Sequence, residues 1–439
     1  MKIASIGIGR SEVFKDRDLQ IKIVLGSCVG LVLYDEKIGV CGAIHILLPK
    51  FKQVKQGAPL TAYADTGIEH LISLMREYTG DINNYKAVLA GGADLAGGEF
   101  FNIGEENYKV TKKMLQKYSI EVVFENCLGD KAKVLNFFTK DFSHNVTEIS
   151  KDVDLGNIEL EYEFSYILKE IKSHEKYLPV PSKSILEIVK LREDEISIEK
   201  IEEIILKDDS LCVNFLRFVN SAYMSPRYKI NDIRRAISYV GMNNLFKFVN
   251  NLFMQNLVKN DLQSYSLNMY EYKIHSLAVA ILSEIIAESV GEEHQIAYLG
   301  GLFHDLGKVI LDKFAMENFT SSKRAQIISF VESSIQSSAH AIIGVFYLKT
   351  LNLDNRILSI VEHHHFPSQA NHNKKLVCSV ALANMLISMF MLGMDRFQRK
   401  ITINSVQEII EMLDIDRQTM DSIMQTIPYV IASAEEMVI

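Results

Sequence analysis

The 439-residue chain reads as two unlike parts in series, an α/β domain of layered sheet and helix followed by an all-α domain. Three observations carry that reading. Residues 21–48 set β-branched apolar runs between Gly, Ser and Asp turns, the pattern of paired strands. Apolar residues at helical spacing then interrupt the strands, as in Ile68, Leu71, Ile72 and Met75. Past Leu178-Pro179-Val180-Pro181 almost every segment has the helical period. A chain of this length exceeds what one hydrophobic core holds, so two or three domains are expected.

Taken in order, residues 21–25 predict a strand, and Gly26-Ser27 supply the small residues of a tight turn. That turn puts Cys28 at a strand edge, reachable by substrate. Residues 29–34 predict a second strand and Asp35-Glu36-Lys37 a polar turn. Residues 38–48 predict a third strand, which brings His45 back beside its neighbour in the sheet. A helix over 63–78 follows, with Asp65 and Thr66 as capping candidates. Residues 87–90 predict a short buried strand running into Gly91-Gly92, whose missing side chains let the backbone line the thiol. A helix over 102–118 and a strand over 120–124 complete the first part. Acidic residues then crowd 149–176, predicting a linker that becomes a helix. Helices are expected over 185–191, 198–206, 211–219, 233–240 and 245–257. Residues 376–394 are apolar enough to test as a membrane span, but Ser379, Asn384 and Ser388 favour a buried core helix.

Bulk properties narrow the function classes. A net charge of −8 argues against a nucleic-acid partner held by a general basic field. The cysteines at 28, 41, 127, 212 and 378 form no CxxC pair and no disulfide-like framework, which suits a reducing cytoplasm. Residues 1–9 carry one Lys and too short an apolar core for a signal peptide. A cytoplasmic protein without a membrane span is the expectation.

Two constellations carry chemistry. A thiol near an imidazole makes a nucleophile, because the imidazolium stabilises the thiolate, and Cys28 with His45 offers that pair. On residues alone a lone Cys and His are more often packing side chains than a catalytic pair. In the helical part, Glu271 and His275 lie four apart and share a helix face. His304-Asp305 follows an apolar helix, His340 sits on another helical pattern, and His363-His364-His365 closes a third. Imidazole with carboxylate suits iron or manganese. Histidines that merely satisfy carbonyls at helix ends are the alternative.

Five blocks in order then resemble the chemoreceptor glutamine deamidases, the CheD family. They are Gly26-Ser27-Cys28-Val29, Gly42-Ala43-Ile44-His45-Ile46-Leu47-Leu48-Pro49, Tyr63-Ala64-Asp65-Thr66, Gly91-Gly92-Ala93 and Asn102-Ile103-Gly104-Glu105-Glu106-Asn107. The resemblance implies Cys28 as nucleophile and His45 as general base, with Gly26, Ser27, Gly91, Gly92 and Asn102 lining the site. It implies no cofactor, the cytoplasmic helices of chemoreceptors as substrate, other chemotaxis proteins as further partners, and methyl-ester hydrolysis as a side activity. Where the family carries a third catalytic threonine this chain has Lys22 and Ile23.

A second set of blocks looks like an HDOD domain, a helical signalling relative of the HD phosphohydrolases. It comprises Leu178-Pro179, Lys207-Asp208-Asp209, Asn220-Ser221-Ala222, Arg235-Ala236-Ile237, Gly301-Leu302-Phe303-His304-Asp305-Leu306-Gly307-Lys308 and His364-His365-Phe366-Pro367. Glu271, His275, His304, Asp305, His340, His364 and His365 match metal-ligand positions of the hydrolytic HD-GYP relatives. Asn384 stands where those relatives have a later aspartate, and Pro367-Ser368-Gln369-Ala370 replaces their Gly-Tyr-Pro element. The implied helical half binds an iron or manganese ion without phosphodiesterase turnover. The expected boundaries are 1–148 for the deamidase-like domain, 149–176 for the linker, 177–395 for the helical domain and 396–439 for a C-terminal helical extension. A non-catalytic adaptor, or an HD-type phosphohydrolase with an N-terminal sensing domain, is the alternative.

Overall fold

The computed structural model describes residues 2–52, 58–94, 102–148, 164–179, 197–221, 223–224, 226–333, 338–391 and 403–438. The chain divides into two compact units. The first comprises residues 1–152, 385–408 and 420–429, and the second residues 153–384, 409–419 and 430–439. The expected C-terminal extension is therefore no separate body but is shared between the two.

In the first unit the strands are β1 (Lys2–Ser5), β2 (Ser11–Phe14), β3 (Leu19–Leu25), β4 (Val29–Asp35) and β5 (Val40–Ile46). Helix α1 (Ala64–Thr79), β6 (Lys86–Gly91), helix α2 (Ile103–Lys117), β7 (Glu121–Cys127), β8 (Lys133–Phe138) and β9 (His144–Glu148) follow. They form a four-stranded sheet in the order β1-β3-β8-β9 and a five-stranded sheet in the order β2-β5-β4-β6-β7. Strand alternation sorts the second sheet's two faces. Val29, Leu31, Leu33, Ile44 and Ile46 join Ile68, Leu71, Met75, Val110 and Met114 in one buried cluster, so α1 and α2 cover this face. The opposite face meets the first sheet: a Cβ on Gly30 would lie 2.9 Å from Leu25, and the Tyr34 ring packs 5.3 Å from that of Phe137. Each large aliphatic side chain buried in such a layer contributes about 1.5–3 kcal/mol.

Two local expectations differ. Strand β5 begins at Val40 because Asp35 Oδ1 accepts from the N–H of Lys37 (2.9 Å) and of Ile38 (3.1 Å), holding the polar turn closed for longer. Neither Asp65 nor Thr66 caps α1, whose N-cap is Tyr63 without a side-chain bond. From within the first turn Asp65 Oδ1 accepts from Thr66 N at 2.8 Å and from Phe51 N at 3.0 Å, the second bond tying down the chain that leaves the β5 strand.

The second unit is helical throughout its described length. It contains α3 (Phe164–Ser173), α4 (Ile198–Leu206), α5 (Asp209–Val219), α6 (Ile233–Leu257), α7 (Met269–Ser289), α8 (His294–Phe303) and α9 (Leu306–Asn318). These are followed by α10 (Ser321–Ser333), α11 (Ala339–Thr350), α12 (Asn355–His363) and α13 (Lys374–Phe390), the last running on into the first unit. After them come α14 (Ile403–Leu413) and α15 (Arg417–Met437), each also shared between the units. The helices expected at 233–240 and 245–257 run together as α6, broken at Gly241, whose φ of 71° and ψ of 165° are non-helical. The helix expected over 185–191 lies outside the described residues. Helix α13 is the buried apolar helix anticipated from residues 376–394, and no helix among the described residues is long and apolar enough to cross a membrane.

Candidate active site and candidate metal centre

Strand pairing sets where the residues of the thiol and the imidazole lie. In the β4–β5 ladder Gly30 stands opposite His45. Cys28 stands in the bend just before β4, two residues ahead of Gly30. Continued one step past Val29↔Ile46, the β4–β5 register sets Cys28 against Leu47, a diagonal step from His45, and such positions are roughly 7–8 Å apart. Gly30 lies between them and contributes no side chain of its own. The strand-edge expectation for Cys28 does not hold: it leads into β4, the middle strand of the five, and is fully buried.

Burial sets the protonation of both groups. Loss of water pushes the Cys28 thiol well above its usual value, only partly offset by its own backbone N–H. His45, 3% exposed, is pulled down to about 4 by burial, with its hydrogen bond to Ile6 acting the other way. The resting pair is thus a neutral thiol and a neutral imidazole, not an ion pair. His45 Nδ1 faces the Ile6 carbonyl at 3.3 Å, an acceptor only, so Nδ1 carries the proton. That leaves Nε2, buried and without a partner, holding a free lone pair. The orienting group that Lys22 and Ile23 do not supply as side chains is this backbone carbonyl. Ile6 is itself held by a bond from its N–H to Lys22 O (3.1 Å).

The lining residues are placed unequally. Gly26 and Ser27 form the turn before the thiol, and Gly92 N–H donates to Cys28 O at 2.6 Å. Gly91, with φ of 101°, lies so close that a Cβ there would stand 2.2 Å from the same oxygen. Ser27 Oγ donates to Met389 O at 3.5 Å, within the same unit. Asn102 is an exposed helix N-cap whose side chain turns to Glu105, so it does not line the thiol. The residue of α2 that reaches the turn is Asn107, one and a half turns on, fully buried, with Nδ2 donating to Ser27 O (3.1 Å) and Leu47 O (2.9 Å). Its signal in the sequence was an amide at a position of α2 where the helical period demands an apolar residue.

In the second unit Asp305 is the hub. Its Oδ2 lies 3.4 Å from His304 Nε2 and 3.9 Å from His275 Nε2, and its Oδ1 lies 3.2 Å from His340 Nε2 and 3.8 Å from His364 Nε2. His365 Nε2 is 3.0 Å from His340 Nε2. Two groups with metal-ligand spacing share this carboxylate: Asp305, His340, His364 and His365, and His275, His304 and Asp305. Glu271 belongs to neither, being exposed on the first turn of α7 while His275 is buried one turn later. Asn384 adjoins His275, on the poorer of the two groups.

Backbone carbonyls aim the rings inward. His304 Nδ1 donates to Gly301 O (2.7 Å) and His364 Nδ1 to Val361 O (2.8 Å), so both Nε2 lone pairs face the carboxylate, buried and unbonded. His340 Nδ1 donates to Glu332 at 2.9 Å, and Glu332 in turn accepts from Tyr265 and Ser338. Neither the glutamate on α10 nor the tyrosine stood out in the sequence. Burial works against the charged form here, yet the Lys308 charge and the hydrogen bond from His340 hold Asp305 well below the usual carboxylate range. Lys308 Nζ donates to Asp305 Oδ2 at 2.6 Å.

The comparisons with known proteins fall on the same two parts of the chain. A family model described as CheD chemotactic sensory transduction matches residues 47–148. A protein of Caldanaerobacter subterraneus subsp. tengcongensis, named probable chemoreceptor glutamine deamidase CheD, is 35% identical over 144 residues, 32% of this chain and 89% of its own length. The chain belongs to the CheD family. A second CheD protein of the same name, from Clostridium tetani, is 34% identical over 159 residues, 35% of this chain and 94% of its own. The HDOD domain model matches residues 178–367. An HDOD domain protein of unknown function from Geobacter sulfurreducens shares that fold at a TM-score of 0.50 and 21% identity, over 63% of this chain and 99% of its own. This CheD chain is thus joined to an HDOD domain, as its two sets of motifs imply.

Proposed function

We propose that the protein is a cytoplasmic, cysteine-dependent glutamine deamidase of chemoreceptor helices, carrying an HDOD domain that binds metal and does not turn over phosphodiesters. The observation that supports the first part is the buried, unbonded Nε2 of His45, whose residue pairs with Gly30, two residues past Cys28. Nε2 takes the thiol proton as Sγ attacks the carboxamide carbon of a glutamine, forming the C–S bond. The carbonyl oxygen becomes an oxyanion, for which the Cys28 N–H is the proposed backbone donor. His45 then returns the proton to the amide nitrogen, the C–N bond breaks and ammonia leaves. In the second half His45 takes a proton from water, whose oxygen attacks the thioester carbon. The C–S bond breaks, the thiol is re-protonated and glutamate remains; a glutamate methyl ester would follow the same path with methanol leaving.

Because the thiol is fully buried, a receptor side chain reaches it only when a covering group moves. Incubating the full chain with receptor cytoplasmic fragments and reading ammonia with the mass of each glutamine peptide tests the proposal. Conversion in wild type and none in Cys28→Ala is expected; equal conversion in both would sink the assignment.

For the HDOD half, the support is the inward-facing, unbonded Nε2 of His304 and His364 beside a buried carboxylate, a donor set that fits a divalent ion. Asp305, His340, His364 and His365 would hold iron or manganese. Such an ion, when bound, supplies Lewis acidity and a cross-link between helices. This chain's own residues orient the rings: Gly301 O, Val361 O and Glu332 each fix one tautomer. On the other group, a neutral amide at Asn384 leaves a second cation's charge less compensated, which is the reason for expecting no phosphodiester turnover. Metal analysis of the purified protein, with and without cyclic dinucleotide as substrate, tests this. Cleavage lost in Asp305→Ala would overturn the non-catalytic reading.

A further inference from the structure

The three carbonyls ahead of the thiol's strand are all held. Gly26 O accepts from Ala93 N (2.8 Å), Ser27 O from Asn107 Nδ2 (3.1 Å) and Cys28 O from Gly92 N (2.6 Å). Two of those donors are backbone groups that any residue would provide. Only the middle one is a side chain. The same Nδ2 also donates to Leu47 O at 2.9 Å. Leu47 directly follows β5, two residues beyond His45, and the β4–β5 register, continued one step past Val29↔Ile46, sets it against Cys28. One amide therefore spans the turn of the thiol and the strand of the imidazole.

We infer that Asn107 is a positioning residue, a clamp that fixes Cys28 relative to His45 by bonding the Ser27 and Leu47 carbonyls at once. The inference rests on Cys28 and His45 being the nucleophile and base proposed above. A trans peptide sets the C=O and N–H of one unit on opposite sides, so pinning Ser27 O on the α2 side turns the Cys28 N–H away from α2. There it can meet the oxyanion. Helix α2 is seated closely enough to serve as the anchor: a Cβ on Gly104, three residues before Asn107, would lie 2.5 Å from Gly92 O. Burial is complete at Asn107, so water cannot replace the lost donors. Removing them leaves two buried carbonyls free to rotate, and the nucleophile with them.

A clamp and a mere packing residue give different kinetics. Asn107→Ala should lower kcat per folded molecule by roughly 10- to 100-fold, the effect of a small misplacement of reacting groups, while KM for a receptor fragment stays within about twofold. Asn107→Asp keeps the side chain's shape but turns its donors into acceptors, and should show the same loss; it serves where the alanine variant fails to fold. Both are measured in the full chain, with the folded fraction taken from a thermal melt and Cys28→Ala beside them. An inactive Cys28→Ala together with wild-type kcat per folded molecule in the Asn107 variants would overturn the clamp alone. Activity surviving in Cys28→Ala would overturn the underlying reading, and the clamp with it.

Discussion

For the base proposed above, the protonation state of His45 has a numerical consequence. Burial pulls this imidazole from an ordinary 6.5 to about 4, so the base is neutral and competent well into acid. At pH 5.5 an ordinary imidazole is roughly 10% neutral whereas one titrating near 4 is roughly 97% neutral, a tenfold difference in active enzyme. The acid limb of kcat/KM reports the free enzyme, so its midpoint should fall near pH 4. Stability follows the same group. Between pH 6.5 and 4 the unfolded chain binds a proton at this residue that the native chain refuses, so folding weakens as pH falls across that window. The loss amounts to about 3 kcal/mol and is complete below the folded value. Deamidation of a receptor fragment by the full chain from pH 4.5 to 8 measures the first effect. Urea midpoints of wild type and His45→Gln over that range isolate the second, since every other titrating group cancels in the difference. A half-loss of kcat/KM near pH 6.5, or a wild-type-minus-variant stability difference that ignores pH, would refute the buried neutral base.

Other perturbations separate the site from its scaffold. Cys41→Ala should keep full deamidase activity, because that buried thiol sits inside β5 with Sγ 4.0 Å from Phe14 O and away from His45's partners; loss of kcat there would mean the wrong cysteine has been assigned. Gly91→Ala meets Cys28 O at 2.2 Å in a backbone conformation of φ 101°, so it should cost about 2–4 kcal/mol in a thermal or urea melt; a wild-type midpoint would deny the close approach. Chelation should lower the melting temperature of the purified chain and Mn²⁺ should restore it, since a site assembled only in the native state stabilises by mass action; no change in either direction would reduce the Asp305 histidines to packing residues.

Much of this arrangement was readable in advance because it depends on periodicity. The β3, β4 and β5 strands, the helices α1 and α2, and the pairing that returns His45 beside Cys28 follow from apolar alternation broken by Gly and Asp. The histidine centre was readable for a different reason, since imidazoles and a carboxylate are few and chemically distinctive. Glu271 shows the limit of that logic. Spacing of four puts it on the His275 face, but a residue in the first turn of α7 can still look outward to solvent while its neighbour one turn later looks into the core.

What spacing hides is any task given to the backbone. A base needs an acceptor on its far nitrogen, and a threonine or aspartate in that role would have shown itself as a residue type. Here Ile6 does the work with its carbonyl, and a carbonyl is present at every position of the chain. The identity of the side chain at 6 is irrelevant to the bond; what matters is that β1 runs parallel to β3 and that Ile6 N–H is caught by Lys22 O just past their last paired residues. Lys22, at the place where the family's third catalytic side chain is missing, thus contributes through its own backbone oxygen. Replacing a side chain by a carbonyl also changes what the base can do. A neutral carbonyl fixes the tautomer as well as a carboxylate does, but it gives a developing imidazolium less charge stabilisation, so His45 is a weaker base and stays neutral at rest. The missing threonine therefore does not argue by itself for a dead enzyme. It fits the enzyme proposed above, with a thiol deprotonated only during attack inside a site from which water is excluded.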